Sequence, residues 1–329
     1  MDKQEIYTVE DTNADAMASK LSAVNKGYLE DDFAKEFVQE QERKDIIIHR
    51  GYWGRVNIFQ LLLERFLLNS SNIKKQIISL GCGYDTNYYM LKKNPQFQNL
   101  DFLYVELDLE NVVKNKIKKI EKSTIIQQVI GEHKLNEKKT ELNSKNYCLY
   151  PQNLIQQDNF IQNLKNAGVD LSIPTFFFAE CVFTYIETKH VDSLIKLIQD
   201  SFEVVYLASY EMMNPHDQFG KMMVKNFERK GCPLVGIFDY PDIKSQQQRL
   251  YNLGFQNVEV YSMLDVYNHY TDQKEKKRIE KIEMMDEFEE WNIMQKHYFV
   301  SLTSKYSQSA QNNNEFQQLF HNLKINQNQ

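Results

Sequence analysis

Residues Gln76-Ile77-Ile78-Ser79-Leu80-Gly81-Cys82-Gly83-Tyr84-Asp85-Thr86 run from an apolar stretch through two glycines toward a helical pattern. The apolar part is short and nearly continuous, as in a strand buried on both faces of a parallel sheet. Gly81 and Gly83 allow backbone conformations with positive φ and let a ligand come close to the main chain. A Gly-x-Gly turn at a strand-to-helix crossover is where open α/β sheets bind ligands. Thr86 occupies the third glycine position of the dinucleotide fingerprint, which disfavours a pyrophosphate and suits a ligand without one.

Working outward, three more strand-like runs appear at 102–107 (FLYVEL), 175–178 (TFFF) and 204–209 (VVYLAS). Helix-like stretches follow the first three strands at 86–92, 109–122 and 189–202, the last with Val191, Leu194, Leu197 and Ile198 on one face. This alternation predicts an α/β fold with a doubly wound sheet. Two late strands, 258–261 and 298–301, would close one edge. Residues 1–70 hold helical segments at 14–29, 33–43 and 53–68 and no strand, so they predict a helical cap integrated with the catalytic domain. The sheet domain is expected over 71–304, with an inserted helical and loop segment at about 210–254 that contains a helix at 218–230. Residues 271–291 read as a densely charged helix, solvated on one face. Residues 305–329, rich in Gln and Asn, read as a frayed tail or surface helix.

Bulk properties narrow the class. With 39 Lys+Arg against 45 Asp+Glu the net charge is −6, which argues against a phosphate-binding surface for nucleic acid. The 19 Tyr and 20 Phe argue against disorder. Cys82, Cys148, Cys181 and Cys232 form no C-x-x-C pair, so neither a zinc knuckle nor a disulfide framework is expected, and no metal site. The acidic N-terminus lacks the apolar centre of a signal peptide. No apolar run nears the roughly 20 residues of a membrane span. A monomer of the reducing cytoplasm, with no nucleic-acid or membrane partner, is the expectation.

Chemistry-bearing residues gather at the predicted strand ends. The second strand closes Glu106-Leu107-Asp108, and either carboxylate can accept a pair of ribose hydroxyls. The third closes on Glu180, where a carboxylate is costly unless paired or facing a polar cavity. Arg55, among Tyr52, Trp53 and Gly54, is suited to a bidentate carboxylate partner. Lys20 is a second cation candidate, with an ordinary surface charge as the plain alternative. Cys82 and Cys181 read as small packing residues, and His216 lacks the nucleophile a triad would need.

Together these residues resemble one family. Asp15-Ala16…Lys20…Ala23-Val24…Gly27-Tyr28, Gly51-Tyr52-Trp53-Gly54-Arg55-Val56, Leu80–Thr86, Phe178-Ala179-Glu180-Cys181-Val182 and Tyr210-Glu211…Asp217-Gln218-Phe219-Gly220 occur in the order of the leucine carboxyl methyltransferases. The similarity runs from about residue 11 to 304. It implies a class I S-adenosylmethionine-dependent methyltransferase with a helical cap. It further implies methylation of the C-terminal leucine α-carboxylate of the protein phosphatase 2A catalytic subunit, regulating phosphatase assembly. By the same resemblance, cofactor contacts fall on Lys20, Arg55, Gly81, Gly83, Asp108, Glu180 and the Asn153-Leu154 pair. Asn153 stands where the family has aspartate, and its carbonyl oxygen can still accept from the adenine amino group. Arg55, Lys20 and Tyr185 are the catalytic candidates. Two alternatives stay open: a non-catalytic phosphatase-binding protein, and the branch that methylates a tRNA-modification intermediate. That branch carries a long extra β-repeat domain; no such repeat is read in these 329 residues, so the protein-methylating branch is the expectation.

Overall fold

The computed structural model describes residues 9–39, 43–68, 74–310 and 314–325. Three helices come first: α1 (Thr12–Asn25), the single turn α2 (Ala34–Phe37) and α3 (Ile46–Leu68). The sheet region begins with β1 (Lys75–Leu80), α4 (Asn87–Lys93), β2 (Phe102–Asp108), α5 (Glu110–Lys122) and α6 (Thr124–Ile130). A small meander, β3 (His133–Leu135), β4 (Leu142–Ser144) and β5 (Tyr147–Pro151), leads to α7 (Phe160–Asn166) and β6 (Thr175–Glu180). Then come α8 (Thr188–Ser201), β7 (Val204–Met212), α9 (Gln218–Arg229), α10 (Ile243–Asn252) and β8 (Asn257–Ser262). The chain ends through α11 (Met263–Asp265), α12 (Gln273–Glu280), α13 (Phe288–Gln295), β9 (Tyr298–Tyr306) and α14 (Asn314–Leu323).

Among the described residues nine strands lie in the order β3-β4-β5-β2-β1-β6-β7-β9-β8. Strands β5, β2, β1, β6 and β7 are parallel, and β9 runs antiparallel between β7 and β8. The chain winds one way from β1 to β2 and the other way to β6. The crevice outside the carboxyl ends of β1 and β6 is therefore the natural ligand position. Gly81 follows β1, and Glu180 ends β6.

The continuous apolar runs are explained by helices on both faces. Ile77, Phe176, Phe178 and Tyr206 face a core shared with α3, where Phe59 meets Phe178 at 5.4 Å and Phe66 meets Phe176 at 5.3 Å between ring centroids. Ile78, Phe177 and Leu207 face the other side, where α8 buries Val191, Leu194 and Ile198. Helix α3 is thus core as much as cap.

Several expectations are corrected. The helix expected over 33–43 is one turn, because Val38 is extended (φ −140°, ψ 153°); residues 40–42 lie outside the described residues. Residues 271–291 split into α12 and the start of α13. The link between them turns inward, where the Glu283 carboxylate meets His49 Nδ1 at 2.8 Å and Met285 is buried. The Gln/Asn-rich segment is not a frayed tail: β9 runs on to Tyr306, and Leu319, Phe320, Leu323 and Ile325 are buried in the core. Within 210–254, Tyr210–Met212 is still β7, and α10 is the crossover to β8, so the inserted part is 213–242. Strands β3 and β4 are three residues each and β5 is five, too short to stand out from the sequence. The cap boundary at 70, the N-terminal 1–8 and the terminal 326–329 fall outside the described residues. Among the described residues no helix is long and apolar enough to cross a membrane.

Candidate active site

The glycine turn hangs from β2. Gly81 N and Cys82 N donate to Leu107 O at 2.8 and 3.1 Å, and Gly83 N donates to Asp108 Oδ2 at 2.6 Å. Asp108 Oδ1 accepts from Leu109 N at 2.7 Å. Burial pushes the Asp108 carboxyl up, although these two N–H donors pull it back. Both glycines have positive φ, +70° and +48°. Their bare faces are claimed by protein: a Cβ at Gly81 would lie 2.6 Å from Val182 Cγ2, and one at Gly83 would lie 3.1 Å from Asn13 Cβ. Close chain packing, rather than ligand approach at those faces, is what excludes a side chain there.

Of the two β2 carboxylates, Asp108 belongs to the turn and Glu106 to the core beneath it. Glu106 is fully buried, pairs with Lys116 Nζ at 2.5 Å, and accepts from the Tyr147 hydroxyl at 2.6 Å. Burial pushes its carboxyl up to about 7 against the pull of Lys116. Lys116 also donates to Asp85 O at 2.9 Å, so this pair props the turn from below.

Lys20 is a buried residue, not a surface charge. It sits in a triangle with Asp31 Oδ2 at 2.7 Å and Thr86 Oγ1 at 2.6 Å, and Thr86 Oγ1 in turn donates to Asp31 Oδ2 at 2.6 Å. Asp31 Oδ1 accepts from Phe33 N and Ala34 N, which starts α2. Thr86, absent as a glycine, is thus the residue that ties α1 to the turn. Asp31 escapes a sequence reading, because Glu30-Asp31-Asp32 looks like a solvated acidic turn.

Arg55 projects from α3 onto Glu180. Arg55 Nε donates to Glu180 Oε2 at 2.9 Å and Nη2 to Glu180 O at 3.2 Å. The guanidinium lies over the rings of Tyr52 and Tyr210, at 5.7 and 5.6 Å, and Tyr298 stacks on Tyr210 at 5.4 Å. Burial raises the Glu180 carboxyl, opposed mainly by Arg55, with Asp85 and Lys20 also in electrostatic reach. The expected residues Lys20, Arg55, Gly81, Gly83, Asp108 and Glu180 therefore converge on one crevice. Among the described residues no protein hydrogen bond occupies Glu180 Oε1 or Arg55 Nη1.

Tyr185 lies on the insertion side, against the buried Met212–Met223 cluster and edge-on to Phe227 at 6.1 Å. Burial pushes its hydroxyl well up, so it stays protonated near neutral pH. Asn153 and Leu154 follow Gln152, whose N–H donates to Asp108 O at 2.7 Å. Asn153 Oδ1 accepts from Ile155 N at 2.9 Å, which leaves it one lone pair. Cys82 is buried, as expected of a packing residue; Cys181 is half-buried at φ +54° beside Arg55, a conformation uncommon outside glycine. Glu211 went without a role in the sequence reading, yet its carboxylate binds the turn after β6 through Val182 N (3.0 Å), Phe183 N (2.8 Å) and Thr184 N (3.2 Å). Among the described residues no His, Cys, Asp and Glu cluster could hold a metal.

The leucine carboxyl methyltransferase family pattern matches residues 8–199. The chain is 37% identical over 294 residues to leucine carboxyl methyltransferase 1 homolog of Arabidopsis thaliana, covering 89% of this chain and 88% of that protein. The chain belongs to the leucine carboxyl methyltransferase family. It is a methyltransferase. It is also 31% identical over 303 residues to human tRNA wybutosine-synthesizing protein 4, covering 90% of this chain but 44% of that protein. Among solved structures, one from Thermobifida fusca, provisionally described as a methyltransferase, covers 93% of this chain and 97% of its own at a TM-score of 0.55 and 10% identity. That likeness speaks to the fold, whose doubly wound sheet is the one expected from the strand pattern.

Proposed function

We propose that this leucine carboxyl methyltransferase family member uses S-adenosylmethionine to methylate the C-terminal leucine α-carboxylate of the protein phosphatase 2A catalytic subunit. We further propose that it acts in the cytoplasm as a monomer and so regulates phosphatase assembly. One observation carries the reading: in the Arg55–Glu180 pair at the end of β6, Glu180 Oε1 and Arg55 Nη1 take no protein hydrogen bond among the described residues. A carboxylate oxygen and a guanidinium nitrogen left open on one ion pair fit the amine and carboxylate of an amino-acid zwitterion. Lys20 adds a second cation near the same point, and Asp108 stands at the strand end suited to ribose hydroxyls. Asn153 and Leu154 would flank the adenine. When bound, S-adenosylmethionine supplies an electrophilic methyl group on a sulfonium.

The residues present then have definite tasks. An α-carboxylate has a pKa of roughly 3.3–3.7, so the acceptor is ionised at neutral pH and no general base is required. This agrees with the hydroxyls of Tyr210, over Arg55, and of Tyr185, on the insertion side, which burial pushes up and keeps protonated. Attack of an anion on a cation reduces both charges, so water would hold back the reaction and enclosure favours it. Tyr52, Tyr210 and Tyr298 supply an apolar wall around the guanidinium, and α1 covers the turn. Arg55, locked by Glu180 and two rings, orients a carboxylate rather than seeking one.

The test is transfer of labelled methyl from S-adenosylmethionine to intact phosphatase and to phosphatase lacking its last leucine. Labelling of the first and not the second is expected. Labelling of both, or of neither, overturns the assigned target. Transfer instead to a tRNA-modification carboxylate would move the protein to the other branch. A non-catalytic binder would show no S-adenosylmethionine binding by calorimetry.

A further inference from the structure

The outward side of α9 takes no part in the crevice. Lys221, Lys225, Arg229 and Lys230 are all exposed there against one acid, Glu228, in a chain whose net charge is −6. The first three recur every four residues and so form one stripe. None of these three makes an ion pair among the described residues. Beside the stripe, Phe219, Met222 and Phe238 are 38%, 56% and 46% exposed.

This helix is held rigidly at the rim of the site. Its inner side buries Met223 and Val224, and Phe227 packs on Tyr185. Asp217 Oδ1 accepts from Gly220 N at 2.7 Å and pairs with His297 Nε2 at 2.9 Å. A Cβ at Gly220 would lie 1.9 Å from Asn214 O, so the helix start is pressed onto the preceding loop. At the far end Lys230 reaches Asp15 of α1 at 3.6 Å.

We propose that α9 is a docking face for an acidic surface of the protein substrate, outside its methylated C-terminal tail. This rests on the reading of a protein carboxyl terminus as acceptor. A terminal leucine is a small epitope, and discrimination needs more surface than it offers. An acidic partner is repelled by an enzyme of net charge −6 unless the sign is reversed locally, and α9 reverses it beside exposed apolar side chains. Apolar side chains bordered by cations give the composition of a protein interface. Such a face steers encounter and raises affinity for the intact substrate without touching the transfer step.

The experiment uses the full-length enzyme, the intact phosphatase catalytic subunit and a synthetic peptide of its tail. The variant is K221E/K225E/R229E. KM for the intact phosphatase should rise about tenfold or more and lose most of its salt dependence. The kcat, the kinetics on the peptide and S-adenosylmethionine binding by calorimetry should stay as they were. The neutral set K221Q/K225Q/R229Q should give a smaller shift in the same direction, and it answers the question if the reversed set misfolds. An unchanged KM for the phosphatase, or an equal loss on the peptide, overturns the docking face while leaving the substrate reading intact. Binding of the unaltered enzyme to phosphatidylserine vesicles or duplex DNA, lost in the variant and tighter than to the phosphatase, overturns it in favour of those partners. If the unaltered enzyme fails to methylate the phosphatase, the substrate reading itself falls and the docking face with it.

Discussion

Arg55 Nε lies 2.9 Å from Glu180 Oε2, joining the middle of the cap helix α3 to the end of β6 across 125 residues of sequence. The pair is largely but not fully buried, with side chains 19% and 17% exposed. An arginine so placed is fixed in direction by its fork. Lys cannot replace it, because an ammonium can meet the carboxylate or the main-chain oxygen of Glu180 but offers no planar edge beyond. Both Arg55→Lys and charge-reversing Arg55→Glu should lower kcat/KM by well over about tenfold. Glu180→Gln should weaken S-adenosylmethionine binding and loosen Arg55 together. Normal turnover of Arg55→Glu in the labelled methyl assay would remove Arg55 from the site.

The Lys20–Asp31 pair predicts an acid limit. Burial alone would raise the Asp31 carboxyl, but Lys20, with Thr86 and the Phe33 N–H, holds it below its ordinary 3.8. A carboxyl whose folded value is depressed contributes stability above the unfolded value, and that contribution is lost as pH falls through the folded one. The contribution should therefore be intact at pH 6 and disappear below about pH 3.8. Asp31→Asn leaves Lys20 buried without its counter-charge and should cost about 3 kcal/mol at neutral pH. Denaturant melts of both proteins from pH 7 to pH 3 check this. The difference between them should shrink on the acid side and stay level on the neutral side.

Gly81 offers a test that separates strain from crowding. An alanine there would carry an unfavourable φ of +70° and press its Cβ to 2.6 Å from Val182 Cγ2. Positive φ alone costs roughly 1–2 kcal/mol for an L-residue. Gly81→Ala should destabilise by more than that and depress cofactor affinity. Gly81→Ala with Val182→Ala should recover the crowding part only, leaving the strain. Full recovery in the double variant would show that the conformation, which the main chain imposes, is not what demands glycine.

How much of this was legible in the sequence follows from the range of each interaction. The parallel strands were, because burial on both faces forces continuous apolar runs such as TFFF at 175–178. The glycine turn, Asp108 and Glu180 were, because they sit at strand ends, where position along the chain fixes position in the crevice. The triangle of Lys20, Asp31 and Thr86 was only a third visible, since its other members lie 11 and 66 residues away from the lysine with no local pattern to join them. Glu106 and Asp108 looked equivalent, because side-chain alternation puts them on one face. Only the depth of Lys116 and Tyr147 beneath the turn separates them. The core role of α14 was hidden by Gln and Asn, whose presence on its outer side masks the Leu319, Phe320 and Leu323 that pack inward.

Glu211 shows how a residue outside the crevice should still govern it. Its carboxylate accepts three main-chain N–H bonds and the Thr184 hydroxyl at 2.9 Å, fixing the segment from Val182 to Thr184. Val182 in turn covers Gly81, and Cys181, just before it, is bent to φ +54° next to Arg55. Burial raises the Glu211 carboxyl, and the N–H donors counter that. Glu211→Gln puts an amide N–H₂ where only an acceptor fits, so at least one buried N–H loses its partner at a cost of about 1–3 kcal/mol. Release of that segment should lower kcat more than it raises KM for the acceptor, because the bound groups are misaligned rather than absent. Glu211→Asp, which keeps the acceptor charge on a shorter arm, should restore part of kcat. A Glu211→Gln enzyme with unchanged kcat and only reduced thermal stability would confine Glu211 to holding the fold.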